Sequence, residues 1–193
     1  MSAYTGRYVR SHGSTWNGMP LRVGEPTLGD HIRAAGGHAA LVGKTHMIAD
    51  RDGMAWLGID PNSDIGVRQS QCGFDPFERD DGLHPNSPRQ NWSAYDDYLV
   101  RNGFSSDNPW GDYANSGLDA DGARLSGWLL ENSRLPADVP QEHSETAYMT
   151  NRGIAFMHDA MTRDEPWLCH LSYIKPHWPY IVPAPYHDMF NET

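Results

Sequence analysis

Cysteine is scarce: Cys72 and Cys169 are the two in 193 residues. That is too few for a disulfide scaffold and is in keeping with a reducing compartment. Long apolar runs are missing as well. No stretch approaches the roughly 18 residues that a membrane-spanning helix needs, so no membrane partner is expected. Positive charge is in deficit, with Lys+Arg 15 against Asp+Glu 25 and a formal net charge of −10. A chain so acidic is a poor bulk partner for nucleic acid. Met1-Ser-Ala-Tyr-Thr-Gly-Arg7 has no basic segment leading into an apolar one. It does not read as a signal peptide, and a cytoplasmic location is favoured. Repeats, low-complexity tracts, CxxC, HExxH, a phosphate loop and Gly-x-Ser-x-Gly are all absent. What is present is 38% hydrophobic residues with Gly 19 and Pro 14, a composition for a globular chain with long, well-turned loops.

Periodicity supplies two helix-then-strand units. Pro26 to about Ala35 predicts a helix, with Leu28, Ile32 and Ala35 at helical spacing and Gly36-Gly37 as the stop. Ala39–Val42, closed by Gly43, predicts a buried strand. Ser144 to about Met161 predicts a second helix, with Ser144 as cap and Ala147, Met149, Ile154, Phe156, Met157 and Met161 as apolar positions. Asp164-Glu165-Pro166 breaks it, and Trp167–Ile174 follows as a strand. Between them, Asp60-Pro-Asn-Ser63, Asp75-Pro76, His84-Pro-Asn-Ser-Pro88 and Asp107-Asn-Pro109 are turn chemistry. One short helix is predicted there, Ser93–Asn102. The stretch from about 51 to 140 therefore reads as a loop-rich insertion on an α/β core.

Both strands are followed at once by a lysine and a histidine. In an extended segment Lys44 and His46 point to one side, about 7 Å apart along the chain. An ammonium and an imidazole so placed suit an anionic centre whose leaving group needs a proton. The same residues also fit a solvated loop lysine and a capping histidine. In Lys175-Pro-His177-Trp-Pro-Tyr180, the prolines hold the backbone on either side of His177. An aromatic-proline loop with an incidental histidine is the other reading. His46 with Asp50 and His170 with His177 give no persuasive metal spacing. His170, in mid-strand, reads as a hydrogen-bonded core histidine. No nucleophile and no metal-binding carboxylate cluster is evident.

Several phrases resemble one family. Ser2-Ala-Tyr-Thr-Gly-Arg7 resembles the tail of the sulfatase signature, Cys-x-Pro-x-Arg-x-Ser-x-x-Thr-Gly-Arg. Gly43-Lys44-Thr45-His46 is similar to the family's Gly-Lys-x-His element, and Lys175-Pro-His177-Trp-Pro-Tyr180 to its Lys/Arg-Pro-His-x-Pro-Phe/Tyr element. Gly73-Phe-Asp-Pro-Phe-Glu-Arg-Asp-Asp81, Glu142-His-Ser-Glu-Thr-Ala-Tyr-Met149 and His170-Leu-Ser-Tyr-Ile174 resemble the arylsulfatase and phosphonate monoester hydrolase branch. That branch lies in the alkaline phosphatase superfamily, and the resemblance covers nearly the whole chain in the expected order.

The resemblance implies an α/β fold with a mainly parallel sheet flanked by helices, alkaline phosphatase-like and incomplete. Residues 1–193 would be a partial catalytic domain, with core segments at about 1–50 and 141–193 and the loop-rich insertion between. The signature cysteine, oxidised to a formylglycine nucleophile, would lie ahead of Met1, since neither Cys72 nor Cys169 sits in Cys-x-Pro-x-Arg. A divalent metal, calcium or manganese, would serve the longer enzyme, its carboxylate ligands lying outside this chain. Lys44 would hold a nonbridging oxygen of the substrate, and His46 would assist at the same group or at the formylglycine hydroxyl. His177 would serve the leaving-group oxygen, Asn17 would contact the oxyanion, and Arg7 would support the nucleophile turn. The substrate would be a small sulfate, phosphate or phosphonate ester; the Gly-Lys-x-His form leans towards the sulfatase pattern. A homo-oligomer is compatible with the full-length enzyme, and the isolated chain is expected to be inactive. The alternative is a non-catalytic anion-binding remnant of the same fold.

Overall fold

A capping box starts the helix Leu28–Ala34. The Asp30 carboxylate accepts from the Thr27 N–H at 3.0 Å and from its hydroxyl at 2.6 Å. The helix therefore begins after Pro26, not with it, and Gly36 closes it in the left-handed conformation at φ 82°. The computed structural model describes residues 1–81 and 93–190. In chain order the first elements are α1 (Ser2–Thr5), α2 (Val9–His12), α3 (Leu28–Ala34), β1 (His38–Gly43), α4 (Arg51–Trp56), α5 (Asp64–Gln69) and β2 (Asp75–Arg79). Then come α6 (Ala94–Arg101), β3 (Ser116–Leu118), β4 (Arg124–Ser126), α7 (Glu145–Ala160) and β5 (Trp167–Leu171). Two compact units divide the chain, residues 1–81 with 152–172 and residues 82–151 with 173–193. Among the described residues, no helix is long and apolar enough to cross a membrane.

The first unit holds a parallel sheet in the order β2-β1-β5. Its central strand β1 is buried on both faces, as its unbroken apolar run predicts. Ala39 and Leu41 pack with Cys72, Phe74, Ile32 and Tyr4 on one side. Ala40 meets Phe156 and Ala160 of α7 on the other, beside Phe77 and Cys169. His170 is hydrogen-bonded as expected, though only half-buried: Tyr4 Oη lies 3.0 Å from its Nε2 and Phe74 stacks on it at 5.3 Å. Burial lowers its pKa.

Residues 51–81 depart from the loop expected there. Asp50 caps α4 by accepting from Gly53 N at 3.0 Å, and Ser63 caps α5 by accepting from Gly66 N at 3.2 Å. Asp75-Pro76, a turn by composition, opens β2. Arg68 holds the Asp75 carboxylate at 2.6 Å, and Phe77 reaches Phe156 at 5.4 Å between ring centroids. Proline is tolerated there because β2 is an edge strand. The turn sequence His84–Pro88 lies outside the described residues.

Strand β5 is shorter than predicted, ending at Leu171 rather than Ile174. The cause is Gly43, at φ 98°, where a Cβ would fall on the Ser172 carbonyl oxygen. Ser172 N still reaches Val42 O at 2.8 Å, but β1 then turns away and Gly43 O accepts from Asp80 N at 3.1 Å. Beyond that point β5 has no strand to pair with among the described residues. Helix α7 is capped by Ser144 Oγ, which accepts from Ala147 N at 3.2 Å. Met149 and Phe156 are buried as expected, whereas Ile154, Met157 and Met161 are exposed. Gly153 and Ala160 share the inward face instead, Gly153 close enough that a Cβ would touch Leu171 at 3.2 Å.

In the second unit Ser93 and Asp96 form a capping box for α6, whose Tyr95 and Leu99 are buried. Trp110 is held at both ends, its N–H by Asp96 Oδ1 and its Nε1 by Glu145 Oε1, each at 3.0 Å. It opens a single π-helical turn, Trp110–Ala114, which leads into the antiparallel ribbon β3-β4.

Candidate active site

The turn at Gly43 throws Lys44-Thr45-His46 off the carboxyl end of β1, where open α/β sheets bind ligands. His46 stands at φ 55°, a left-handed conformation that histidine adopts more readily than most residues with a side chain. Because that conformation is not extended, strand alternation does not place Lys44 and His46 on one side, which corrects the spacing argument. His46 instead joins Asn17 in lining a cleft of about 280 Å³, with Thr45, Ser14 and Trp16. The Trp16 indole folds over Gly18 and occupies the place a Cβ would take. Lys44 is half-buried at the same strand end but is not among the residues lining this cleft. Its Nζ reaches the Asp81 carbonyl oxygen at 3.4 Å, which uses one of three donors. Arg7 pairs with Glu25 at 3.0 Å. A larger cleft of about 520 Å³ in this unit, lined by Arg51, Arg79 and Asp50, was not foreseen, although Arg79 stands in the Gly73–Asp81 phrase.

Burial works against both thiols as nucleophiles. Cys72 is buried, its thiol is pushed up to about 12 by desolvation, and its Sγ lies 3.3 Å from Met47 Sδ. Burial also raises the Cys169 thiol. Ser2 lies beside a histidine, its Oγ 3.0 Å from His12 Nε2, yet the pair runs the wrong way for attack. Ser14 N–H donates to His12 Nδ1 at 3.1 Å, so the ring proton is on Nε2 and points at Ser2. Among the described residues, no three His, Cys, Asp or Glu side chains gather as a metal site.

The second unit carries the other histidine. His177 is exposed, and its Nδ1 lies 2.8 Å from the Trp178 carbonyl oxygen. A carbonyl only accepts, so Nδ1 carries the proton and Nε2 is left to take one up or give one. His177 N–H donates to Ile174 O at 2.9 Å. The residue missed by sequence reasoning is Lys175, two positions earlier. Its Nζ donates to Asn115 Oδ1 at 2.7 Å and to Pro179 O at 2.6 Å. Desolvation lowers its pKa to about 8, against the opposing pull of the Glu145 carboxylate. Lys175 was visible in the Lys-Pro-His phrase, but its partner Asn115 has no sequence signal.

No family model matches the chain. The multifunctional alkaline phosphatase superfamily protein PehA of Trinickia caryophylli is 27% identical over 202 residues, covering 98% of this chain and 33% of PehA. The phosphonate monoester hydrolase SpPMH from Silicibacter pomeroyi is 28% identical with a TM-score of 0.70, over 98% of this chain and 34% of that one. The phosphonate monoester hydrolase of Agrobacterium radiobacter superposes with a TM-score of 0.69 at 24% identity, covering 98% of this chain and 33% of that one. The chain thus spans about a third of the length of these relatives. Its homologues are members of the alkaline phosphatase superfamily, and its three-stranded parallel sheet with flanking helices is a partial domain of the alkaline phosphatase-like fold.

Proposed function

We propose that the chain supplies substrate-holding groups of a hydrolase that cleaves small monoesters of phosphonic, phosphoric or sulfuric acid. The observation that carries this reading is the cleft at the carboxyl end of β1, shared by Asn17 and His46 within a fold like that of a phosphonate monoester hydrolase. The Asn17 amide donates to a nonbridging oxygen, and Lys44, at the same strand end but outside the cleft lining, adds positive charge nearby. His46 hydrogen-bonds at the same group. In the second unit His177, with Nδ1–H committed to Trp178, leaves Nε2 able to exchange a proton with a leaving-group oxygen. The attacking group belongs to neither cysteine of the chain; in this reading it is a formylglycine. A divalent cation such as calcium or manganese would neutralise charge on the ester, but the described residues do not fit one, and no step here runs through it.

Phenyl methylphosphonate is the probe. Titrated into the 193-residue protein, it should shift the NMR signals of His46 and Asn17, and His46→Ala or Asn17→Ala should weaken binding about tenfold, roughly one lost charge-assisted hydrogen bond. Equal affinity in both variants and wild type would overturn the proposal. Phenol release by the purified chain would overturn the placing of the nucleophile.

A further inference from the structure

The His177 segment is closed at its base by a side chain. Lys175 Nζ reaches forward four residues to the Pro179 carbonyl oxygen, so amine and backbone form a ring with His177 at its middle. The same amine is tied outward to Asn115, a residue only 2% exposed. Asn115 is itself anchored, its Nδ2 donating to Trp110 O at 3.2 Å and its backbone N–H to the same oxygen at 3.0 Å. Trp110, fully buried, ends this chain of support in the core of the second unit. An ammonium carries three donors on a flexible stem and can hold two oxygens lying in different directions, which a planar guanidinium does less well. The residues it joins, Asn115 and Pro179, are both buried, while His177 between them is exposed. The exposed His177 ring lies between these two buried anchors. Here the fixing comes from beneath.

We infer that Lys175 is a positioning residue: its ammonium clamps the 175–179 loop to Asn115 and thereby holds the His177 ring with Nδ1–H on the Trp178 carbonyl and Nε2 outward. The inference rests on the reading of His177 as a proton donor only for its purpose, not for its geometry. In the clamped loop the Trp178 carbonyl stands where Nδ1 meets it. With the clamp lost, that carbonyl turns and the ring tautomer is no longer set.

The tautomer is the readout, because a general loss of stability would not select one ring nitrogen. In the 193-residue protein with ¹⁵N-labelled histidine, neutral His177 should show a protonated Nδ1 and a bare Nε2. Lys175→Met should lose that signature and give a mixture of both tautomers. Asn115→Leu, which removes the oxygen facing the amine at nearly the same volume, should lose it as well. An unchanged tautomer in Lys175→Met overturns the inference. Should that variant not fold, the wild type decides: Nζ protons of Lys175 held by two oxygens exchange slowly enough to be seen in the cold, and rapid exchange overturns the clamp. Phenyl methylphosphonate separates the two claims. An ester that leaves the His177 signals unmoved removes the proton-donor reading, whereas the tautomer in Lys175→Met tests the clamp whatever the ester does.

Discussion

Lys175 shows how one side chain makes stability depend on pH. Its pKa in the folded protein, about 8, lies below the ordinary 10.5. Between those values the unfolded chain binds more protons than the folded one, so the free energy of unfolding rises as the pH rises from about 8 to 10.5. Below pH 8 the full penalty of withdrawing the ammonium from water is present, on the order of 1–3 kcal/mol given its remaining exposure. Cys72 acts in the opposite sense. Its thiol, pushed up to about 12, is protonated in the folded state over a range where the unfolded thiol has ionised, so it removes stability above pH 9. The difference between wild type and Lys175→Met isolates the lysine. Denaturant melts at pH 7.5 and pH 10 should show wild type gaining relative to the variant, and parallel behaviour would contradict the assigned burial.

At the scale of elements, the end of β1 is the critical turn. Gly43 combines a positive φ with a Cβ position already occupied by the Ser172 carbonyl oxygen. Gly36 has a positive φ but nothing within 4 Å of its Cβ position. Gly36→Ala should therefore cost about 1 kcal/mol, and Gly43→Ala clearly more than about 2 kcal/mol, as measured by urea unfolding. Equal costs would mean that β1 and β5 can part at that point without loss. The elements read best from sequence were those whose signals are local. Ser93, Ser144 and the apolar run of β1 each announce their element within a few residues. Strand β2 was missed because Asp-Pro-Phe-Glu-Arg has turn composition, and what makes it a strand is distant: Arg33 and Arg68 on Asp75, Arg152 on Glu78 at 2.8 Å. The site divides in the same way. His46 stands in a recognisable phrase and Asn17 came only from the family resemblance, but their shared cleft depends on the left-handed turn at His46, which no spacing rule contains. The Lys175–Asn115 bond joins positions 60 apart, and nothing local marks Asn115.

For the whole molecule, apolar exposure sets the solution behaviour. Phe190 is 91% exposed, Tyr8 87% and Trp56 86%. Strands β2 and β5 each have one neighbour among the described residues. Open strand edges and bared aromatic rings are templates for association. The 193-residue chain should bind an apolar dye in native buffer and self-associate as its concentration rises, despite a formal charge of −10. A monomer at every concentration with no dye fluorescence would show these surfaces to be harmless. The order of the chain through its two units has a temporal side. His38 pairs with Trp167, a separation of 167 − 38 = 129 residues, and the segment between them includes residues 82–151 of the second unit. During synthesis, β1 and β2 leave the ribosome long before β5 exists. The central strand must wait, one edge uncovered, while most of the other unit is still being made, so the sheet closes late and slowly.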